Sequence, residues 1–406
     1  MTILQIHKYF WHRDGASNYA LYLSELLRKH KHTVIPFAVK QSQNISTPYE
    51  KYFVRDHDLA HPDQVSLREK IAAVSTMFYS FEAKKNITQL LRDVGQVDIA
   101  HLHNIYHHIS PSILPALKKR GVKIVMTLHD YKLLCPNYTM FHHGQVHEED
   151  ARGGYLSCVG NKCMKDSRAQ SAIVTAEMIW HHKIMKYYER YVDTFIAPSR
   201  FMMNICLRFG WDEKKIVHIP HPIDTTSFSV AETDKGYIAY AGRLSEEKGL
   251  HLLVDAATYM PHIPIKIIGD GPLFVPLQRR VASEGIDNIS FTGFQTGDEL
   301  HASLRGARVL VLPSIWYENY PLSILEAKAM GKIIIGSNIG GIPELLPADM
   351  LADPGNASEL AERLQTWYNT PLSSREEKGK ELRQSVLQEN DPERHINTIE
   401  ALYRSL

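Results

Sequence analysis

The chain has 406 residues, of which 44% are hydrophobic, 22% charged and 9% aromatic, a composition that excludes a disordered, collagen-like or disulfide-scaffold protein. Its net charge of +1 hides a division: residues 1–195 hold 25 Lys+Arg against 18 Asp+Glu and the remainder is acidic, so an anionic partner is expected on the first half. No run approaches the roughly 18 apolar residues of a membrane span, and the start at Met1 has no charged region ahead of an apolar one, so a cytoplasmic protein without a standard secretory signal is expected.

At roughly 150 residues per domain the length suggests two or three domains, and two are expected. Short β-branched runs alternate with longer amphipathic segments, the pattern of βαβ units and parallel sheets covered on both faces. In the first half, strands are predicted over Thr2–Ile6, Thr33–Val39, Asp98–His101, Val122–Leu128 and Thr194–Ala197. Residues 66–92 and 171–192 read as helices. The first carries Phe78, Tyr79 and Phe81, and the second Ile179, Trp180, Tyr187 and Tyr188, both beside basic residues. Helices of this kind pack on a core or rest on an anionic membrane surface. Residues 136–170, rich in His, Gly and Cys without periodicity, read as an insertion. Cys135, Cys158 and Cys163, with His142, His143 and His147, offer thiolate and imidazole, the usual ligands of zinc. Their spacing fits no common finger, and four cysteines are too few for a disulfide framework, so reduced thiols and no bound metal are expected. A second set of strands follows Ala197: Ile216–Ile219, Tyr237–Ala241, Ile265–Ile268, Ile289–Thr292, Val309–Leu312 and Lys332–Gly336. The stretch Asp391–Leu406 is helical in period, with Pro392 in its first turn. The expected fold is α/β, with two doubly wound Rossmann-like domains over 1–197 and 198–385 and a C-terminal helical segment over 386–406.

The segment from Gly242 to Gly249, directly after the strand ending at Ala241, carries Arg243 and Lys248. Ligands of open α/β sheets bind outside the carboxyl ends of the strands, where glycines allow the chain to turn and free N–H groups meet anions. A guanidinium fork and an ammonium at that edge suit a diphosphate. Glu318 follows the strand Val309–Leu312, and Glu326 falls about one turn into the next helix, so both face the same edge and suit sugar hydroxyls. A nucleotide-sugar site results, which a transferase or an epimerase would both need. A dinucleotide oxidoreductase is disfavoured because no Gly-x-Gly-x-x-Gly follows the first strand, only the single Gly15. A nucleic-acid-binding module rests only on the interleaved basic and aromatic residues at 183–191, and no nucleic-acid partner is expected.

Gly242-Arg243 with Lys248-Gly249, the Glu318 and Glu326 pair, and Gly340-Gly341-Ile342-Pro343-Glu344 resemble the donor half of a GT-B glycosyltransferase of family four. The first half is similar in the same order, through residues 97–103, Thr127-Leu128-His129-Asp130-Tyr131, Ala197-Pro198-Ser199-Arg200-Phe201 and residues 219–224. The resemblance implies a retaining, metal-independent transfer of a hexose from a UDP- or GDP-sugar, with no cofactor, to a lipid-linked saccharide at the inner face of a membrane in surface-polysaccharide assembly. It further implies that Arg243 and Lys248 hold the diphosphate beside Gly242, that Glu326 takes the ribose hydroxyls, and that Glu318 takes those of the transferred sugar. Backbone N–H groups over Asn319, Tyr320 and Leu322 would help hold that sugar. His129 would stand against it, Gly15 would approach the phosphate, Gly269 and Gly271 would line the nucleotide, and Gly293 and Phe294 would meet the base. The C-terminal helix would cross back to the first domain. The sequence departs from the family at Asp14-Gly15-Ala16-Ser17, where two glycines are usual, at His221-Pro222 in place of Asn-Gly, and at Asn319 in place of Gly.

Overall fold

The computed structural model describes residues 1–56, 66–152, 154–230 and 233–406. Its strands, in chain order, are β1 (Thr2–Ile6), β2 (Thr33–Phe37), β3 (Ile99–Leu102), β4 (Lys123–Thr127), β5 (Phe141–His142), β6 (Gln145–Val146), β7 (Thr194–Ala197), β8 (Ile216–His218), β9 (Ile238–Ala241), β10 (Ile265–Ile268), β11 (Ile289–Gly293), β12 (Val309–Leu312), β13 (Ile334–Ser337) and β14 (Leu351–Ala352). One six-stranded parallel sheet runs β2-β1-β3-β4-β7-β8 and a second runs β11-β10-β9-β12-β13-β14. Strands such as Ile-Val-Met in β4 and Val-Leu-Val-Leu in β12 are apolar without alternation because helices cover both faces of each sheet. In each sheet the strand order reverses beside the first strand, at β1/β3 and at β9/β12, and that reversal opens a crevice at the carboxyl edge.

Local chemistry sets the helix starts around these crevices. Asp14 accepts from the Ser17 N–H at 2.9 Å while the Ser17 hydroxyl accepts from the Asp14 N–H at 2.9 Å, a capping box that begins the helix Gly15–Lys29. The Ser199 hydroxyl accepts from Met202 N–H at 3.0 Å and begins Arg200–Arg208. The helix Pro392–Ser405, capped by Asp391, lays Ile396, Ile399 and Tyr403 against Tyr19, Leu23 and Ile3 of the first half. Glu400 at its middle accepts from His30 Nδ1 at 3.0 Å and His32 Nε2 at 2.8 Å.

Four local expectations change. The strand predicted over Ile216–Ile219 in the second domain pairs instead with β7, in the register Phe195 with Ile216 and Ala197 with His218. The helix Arg200–Arg208 is the crossover that brings it there, so the first sheet extends past Ala197 and the expected boundary moves beyond residue 218. The helix expected over 66–92 is two helices, Leu67–Phe78 and Phe81–Asp93, because the Ser80 hydroxyl accepts from Ala83 N–H at 3.1 Å and starts the second. Residues 171–192 likewise break into the helix Arg168–Met178, a π-helical stretch Ile179–Ile184 and the short helix Tyr187–Tyr191, with Tyr187 and Tyr188 buried in the core. The insertion also corrects the expectation of three reduced thiols: Cys158 and Cys163 are joined as a disulfide across the short helix Ser157–Gly160, while Cys135 and Cys206 are free and buried.

Candidate active site in the cleft

The loop after β9 is packed backbone to backbone against its neighbours. Gly249 sits at φ +68°, and a Cβ there would overlap the Pro313 carbonyl at the end of β12; a Cβ on Gly269, at φ +136°, would overlap the Gly242 carbonyl. These contacts gather the loops after β9, β10 and β12 at one edge. Gly271 follows Gly269 in the loop after β10, and Gly293 accepts from Gly269 N–H at 2.8 Å, with the exposed Phe294 ring next to it. The structure therefore brings Gly242, Gly269, Gly271, Gly293 and Phe294 to one side of the edge.

Lys248 Nζ donates to Glu318 Oε1 at 2.7 Å, and the Ser314 hydroxyl donates to the same oxygen at 2.6 Å. Burial alone would push the Glu318 carboxyl up, but the Lys248 ammonium and these hydrogen bonds outweigh it and hold the group below its ordinary range. Glu318 is therefore an anion fixed in place. Arg243 is exposed, and its guanidinium has no hydrogen bond or ion pair among the described residues. Glu326 is half-buried with no side-chain partner among the described residues, and burial pushes its carboxyl up to about 7. The loop after Glu318 leaves the backbone N–H groups of Asn319, Tyr320, Leu322 and Ser323 without protein acceptors among the described residues, a set of donors at the start of the helix Leu322–Ala329.

The side chains of Asn319 and Tyr320 are used elsewhere. Asn319 Nδ2 donates to the Leu128 carbonyl at 2.8 Å and its Oδ1 accepts from Ser199 at 2.9 Å, tying the second half to the end of β4 and to the Arg200–Arg208 helix. Tyr320 is buried, with its hydroxyl accepting from Asn390 at 2.8 Å. Their side chains are thus engaged, while their backbone N–H groups have no protein acceptor among the described residues. Leu322 faces Gly15: its Cδ1 would lie 3.6 Å from a Cβ on that glycine, ordinary contact, so the loop after β1 reaches the same helix start.

His129 follows Leu128 at the end of β4. Its Nε2 is 2.9 Å from His103 Nδ1, whose Nε2 is 2.8 Å from Gln5 Oε1; His129 Nδ1 has no partner among the described residues. The ring stacks on His221 at 5.5 Å and meets Tyr19 edge-on at 5.4 Å. Burial, reinforced by the neighbouring imidazoles, holds His129 and His103 well below the ordinary histidine range, so the cluster is neutral.

Several participants had no sequence signal. Ser314 sits in a loop where any small polar residue reads alike. Glu148, in the insertion, accepts from the Tyr317 hydroxyl at 2.8 Å and from Arg208, and so straps the insertion across the cleft beside Glu318. Glu344, in the Gly-Gly-Ile-Pro-Glu motif, accepts from the Arg200 N–H at 2.8 Å and from the Phe201 N–H, capping a helix of the other half. Only the pairing of distant elements reveals these roles.

Residues 223–385 match the family model described as Glycosyl transferases group 1, and residues 13–227 match Glycosyltransferase Family 4. Among curated relatives, the chain is 32% identical to Sulfoquinovosyl transferase SQD2 of Arabidopsis thaliana over 45% of this chain and 39% of that one. It is 25% identical to O-antigen chain mannosyltransferase C of Escherichia coli over 49% and 60%. The chain thus spans well under two thirds of the length of these relatives. The whole fold superposes on a glycosyltransferase from Rickettsia africae with a TM-score of 0.69 at 17% identity, covering 100% and 98% of the two chains. It also superposes on Anabaena HepE in complex with UDP with a TM-score of 0.66 at 16% identity, covering 100% of both. Both are GT-B structures, and the two facing parallel sheets are that fold.

Proposed function

Because the chain belongs to Glycosyltransferase Family 4, we propose that its cleft binds a nucleoside-diphosphate sugar, UDP- or GDP-linked, and transfers the hexose with retention to a hydroxyl of a lipid-linked saccharide in surface-polysaccharide assembly. The observation that carries this reading is the unpaired Arg243 guanidinium at the same sheet edge as the fixed Lys248–Glu318 pair and the free N–H groups from Asn319 to Ser323. Arg243 and Lys248 meet the diphosphate, Glu326 the ribose, and Glu318 with the free N–H groups the hexose hydroxyls. Neutral His129 offers the sugar a ring nitrogen without bringing a charge. In transfer, the bond from the anomeric carbon to the diphosphate oxygen breaks with its electron pair leaving on the diphosphate, and the acceptor oxygen bonds to the same face. The acceptor proton passes to the departing phosphate. Negative charge grows on the diphosphate as the sugar becomes oxocarbenium-like, and Arg243 and Lys248 at that edge lower the barrier without a divalent ion.

The lipid side of the reading rests on the basic first half and on exposed apolar side chains, Phe81 at 77%, Ile71 at 61% and Ile184 at 57%, with the exposed Lys84, Lys85, Lys183 and Lys186 near them in sequence. His181 Nε2, 3.0 Å from the Phe78 carbonyl, joins two of the three helical segments that carry them.

Nucleoside diphosphate release from UDP-glucose and GDP-mannose, assayed with lipid-linked saccharide acceptors, tests the donor assignment. Arg243→Ala and Lys248→Ala are each expected to lower kcat/KM by about 100-fold or more, with chelator leaving the wild-type rate unchanged. An unchanged kcat/KM in Arg243→Ala overturns the diphosphate assignment, and an inverted product anomer by NMR overturns retention.

A further inference from the structure

The insertion holds a second chemical site, away from the donor edge. Asp150 is 3% exposed, Cys158 0% and Cys163 6%, and one ligand atom from each lies within 4.8 Å of the other two. Among the described residues this is the one group of three or more such ligands held together. The free thiol of Cys135, 1% exposed, lies 3.7 Å from Asp150 Oδ2. A tetrahedral zinc ion with bonds of about 2.0 to 2.3 Å separates its ligand atoms by roughly 3.3 to 3.8 Å; the Cys135–Asp150 separation is on that scale, whereas the Cys158 and Cys163 sulfurs are bonded to each other and reach it only once that bond is broken.

The surroundings are those of a closed ligand shell. Asp150 Oδ1 accepts from the Ser157 hydroxyl and from Cys158 N–H at 3.1 Å, which orients the carboxylate and leaves Oδ2 toward Cys135. Asn137 ties the two ends of the insertion together: its Oδ1 lies 3.6 Å from Cys135 Sγ, and its Nδ2 donates to the Cys163 carbonyl at 3.3 Å and the Phe141 carbonyl at 2.8 Å. Such outer hydrogen bonds are what fix metal ligands. The described residues of 136–166 contain little regular structure, and Cys158 and Cys163 sit in a small apolar cluster with Met77 and Val174, set apart from the main cores, the condition in which a small segment gains from a cross-link or a metal.

We propose that Cys135, Asp150, Cys158 and Cys163 form a buried structural zinc site that fastens the insertion, with the Cys158–Cys163 disulfide as its oxidised, metal-free form. Reduction by a dithiol adds two electrons and two protons to the disulfide and gives two thiols. Zinc then binds as the three thiol protons leave to solvent, so four negative ligands surround a divalent ion, the charge of a Cys₄ site. Metal binding and disulfide formation exclude each other because both use the Cys158 and Cys163 sulfurs. The site stands two residues from Glu148, so it holds the strap that crosses to Tyr317. It takes no part in the transfer chemistry and stands whether or not the donor assignment holds.

The test is metal analysis of the full chain purified under a reducing thiol without added zinc, with thiols counted after denaturation in chelator. About one zinc per chain and all four thiols are expected, falling to below about a tenth of an equivalent in Cys158→Ser and Asp150→Ala and unchanged in Cys206→Ser. Mild oxidation is expected to release the metal as two thiols disappear. Retention of the full equivalent by Cys158→Ser overturns the proposal, as does fully reduced, folded wild type that holds below about a tenth of an equivalent even after dialysis against zinc. Should the variants not fold, cobalt(II) added to reduced wild type gives a thiolate-to-cobalt charge-transfer absorption if the site exists, and its absence overturns the assignment.

Discussion

Glu318 and Glu326 stand on one loop and helix yet meet opposite surroundings. Glu318 has Lys248 and Ser314 on one oxygen and is anionic; Glu326 has no side-chain partner among the described residues and sits with its carboxyl raised by burial to about 7. A ribose with two hydroxyls binds the ionised carboxylate better, since both of its oxygens then accept. Free protein near neutral pH holds Glu326 partly protonated, so donor binding must release that proton. Affinity for UDP-glucose is therefore expected to rise as pH increases from 6 to 8, by up to about tenfold per unit below the raised pKa, and Glu326→Gln is expected to flatten the profile. The diester pyrophosphate of the probe does not titrate in that range. Calorimetry that finds wild-type affinity level or falling over it would remove Glu326 from the ribose site. The two cations also differ: Lys248→Ala leaves Glu318 buried without its cation and is expected to lower the melting temperature, whereas Arg243→Ala breaks no hydrogen bond or ion pair among the described residues, which makes Arg243 the cleaner probe of chemistry.

Among the elements, the strands were legible because burial on both faces favours largely apolar runs without alternation, and β4, β9 and β12 carry them. The run in β8 is as clear, but three residues say nothing about which sheet they join; only the crossover through Arg200–Arg208 decides it. The helix breaks at Tyr79-Ser80 and Lys186 arise from a cap and a left-handed residue inside apolar stretches that otherwise keep helical period. The insertion was opaque for a different reason. Its shape is set by single side chains, Asn137, Asp150 and the cysteines, whose partners lie up to 26 residues away, and not by periodicity. At the donor edge, glycines were readable as turns but not as close approaches. Gly249 and Gly293 both have positive φ, yet a Cβ meets the Pro313 carbonyl at Gly249 and open space at Gly293. Gly293→Ala is expected to cost about 1 kcal/mol, and Gly249→Ala distinctly more, with loss of donor binding. Thermal melts of the two variants compare them directly; equal small losses would mean the loops after β9 and β12 are not locked together.

Across the whole molecule, the donor motifs could be placed on one sheet edge from sequence, but the bridges that bring the two halves together could not. Asn319 reaches Leu128, Glu344 caps the helix at Arg200, and Glu148 meets Tyr317, and each pair joins residues more than a hundred positions apart. The exposed Phe81, Ile71 and Ile184 lie in the basic first half, and among the described residues no helix is long and apolar enough to cross a membrane. If the proposed lipid-linked acceptor holds, binding to an anionic surface through these basic and apolar side chains is expected. Phosphatidylglycerol vesicles should sediment the protein at low salt and phosphatidylcholine vesicles should not, with Phe81→Asp and Lys183→Glu reducing the effect. Equal sedimentation with both lipids would remove the charge argument.

The central claim, a nucleotide-sugar donor held by Arg243 opposite the Lys248–Glu318 pair, is tested most directly by titrating wild type and Arg243→Ala with UDP, GDP, ADP and their hexose conjugates, with and without Mg²⁺. One base is expected to raise the melting temperature of wild type independently of the metal, by an amount equivalent to about 2.7 kcal/mol at a hundred times its Kd, and the rise should be largely lost in Arg243→Ala although that variant melts like wild type when alone. No shift with any nucleotide, or the same shift in both proteins, would contradict it.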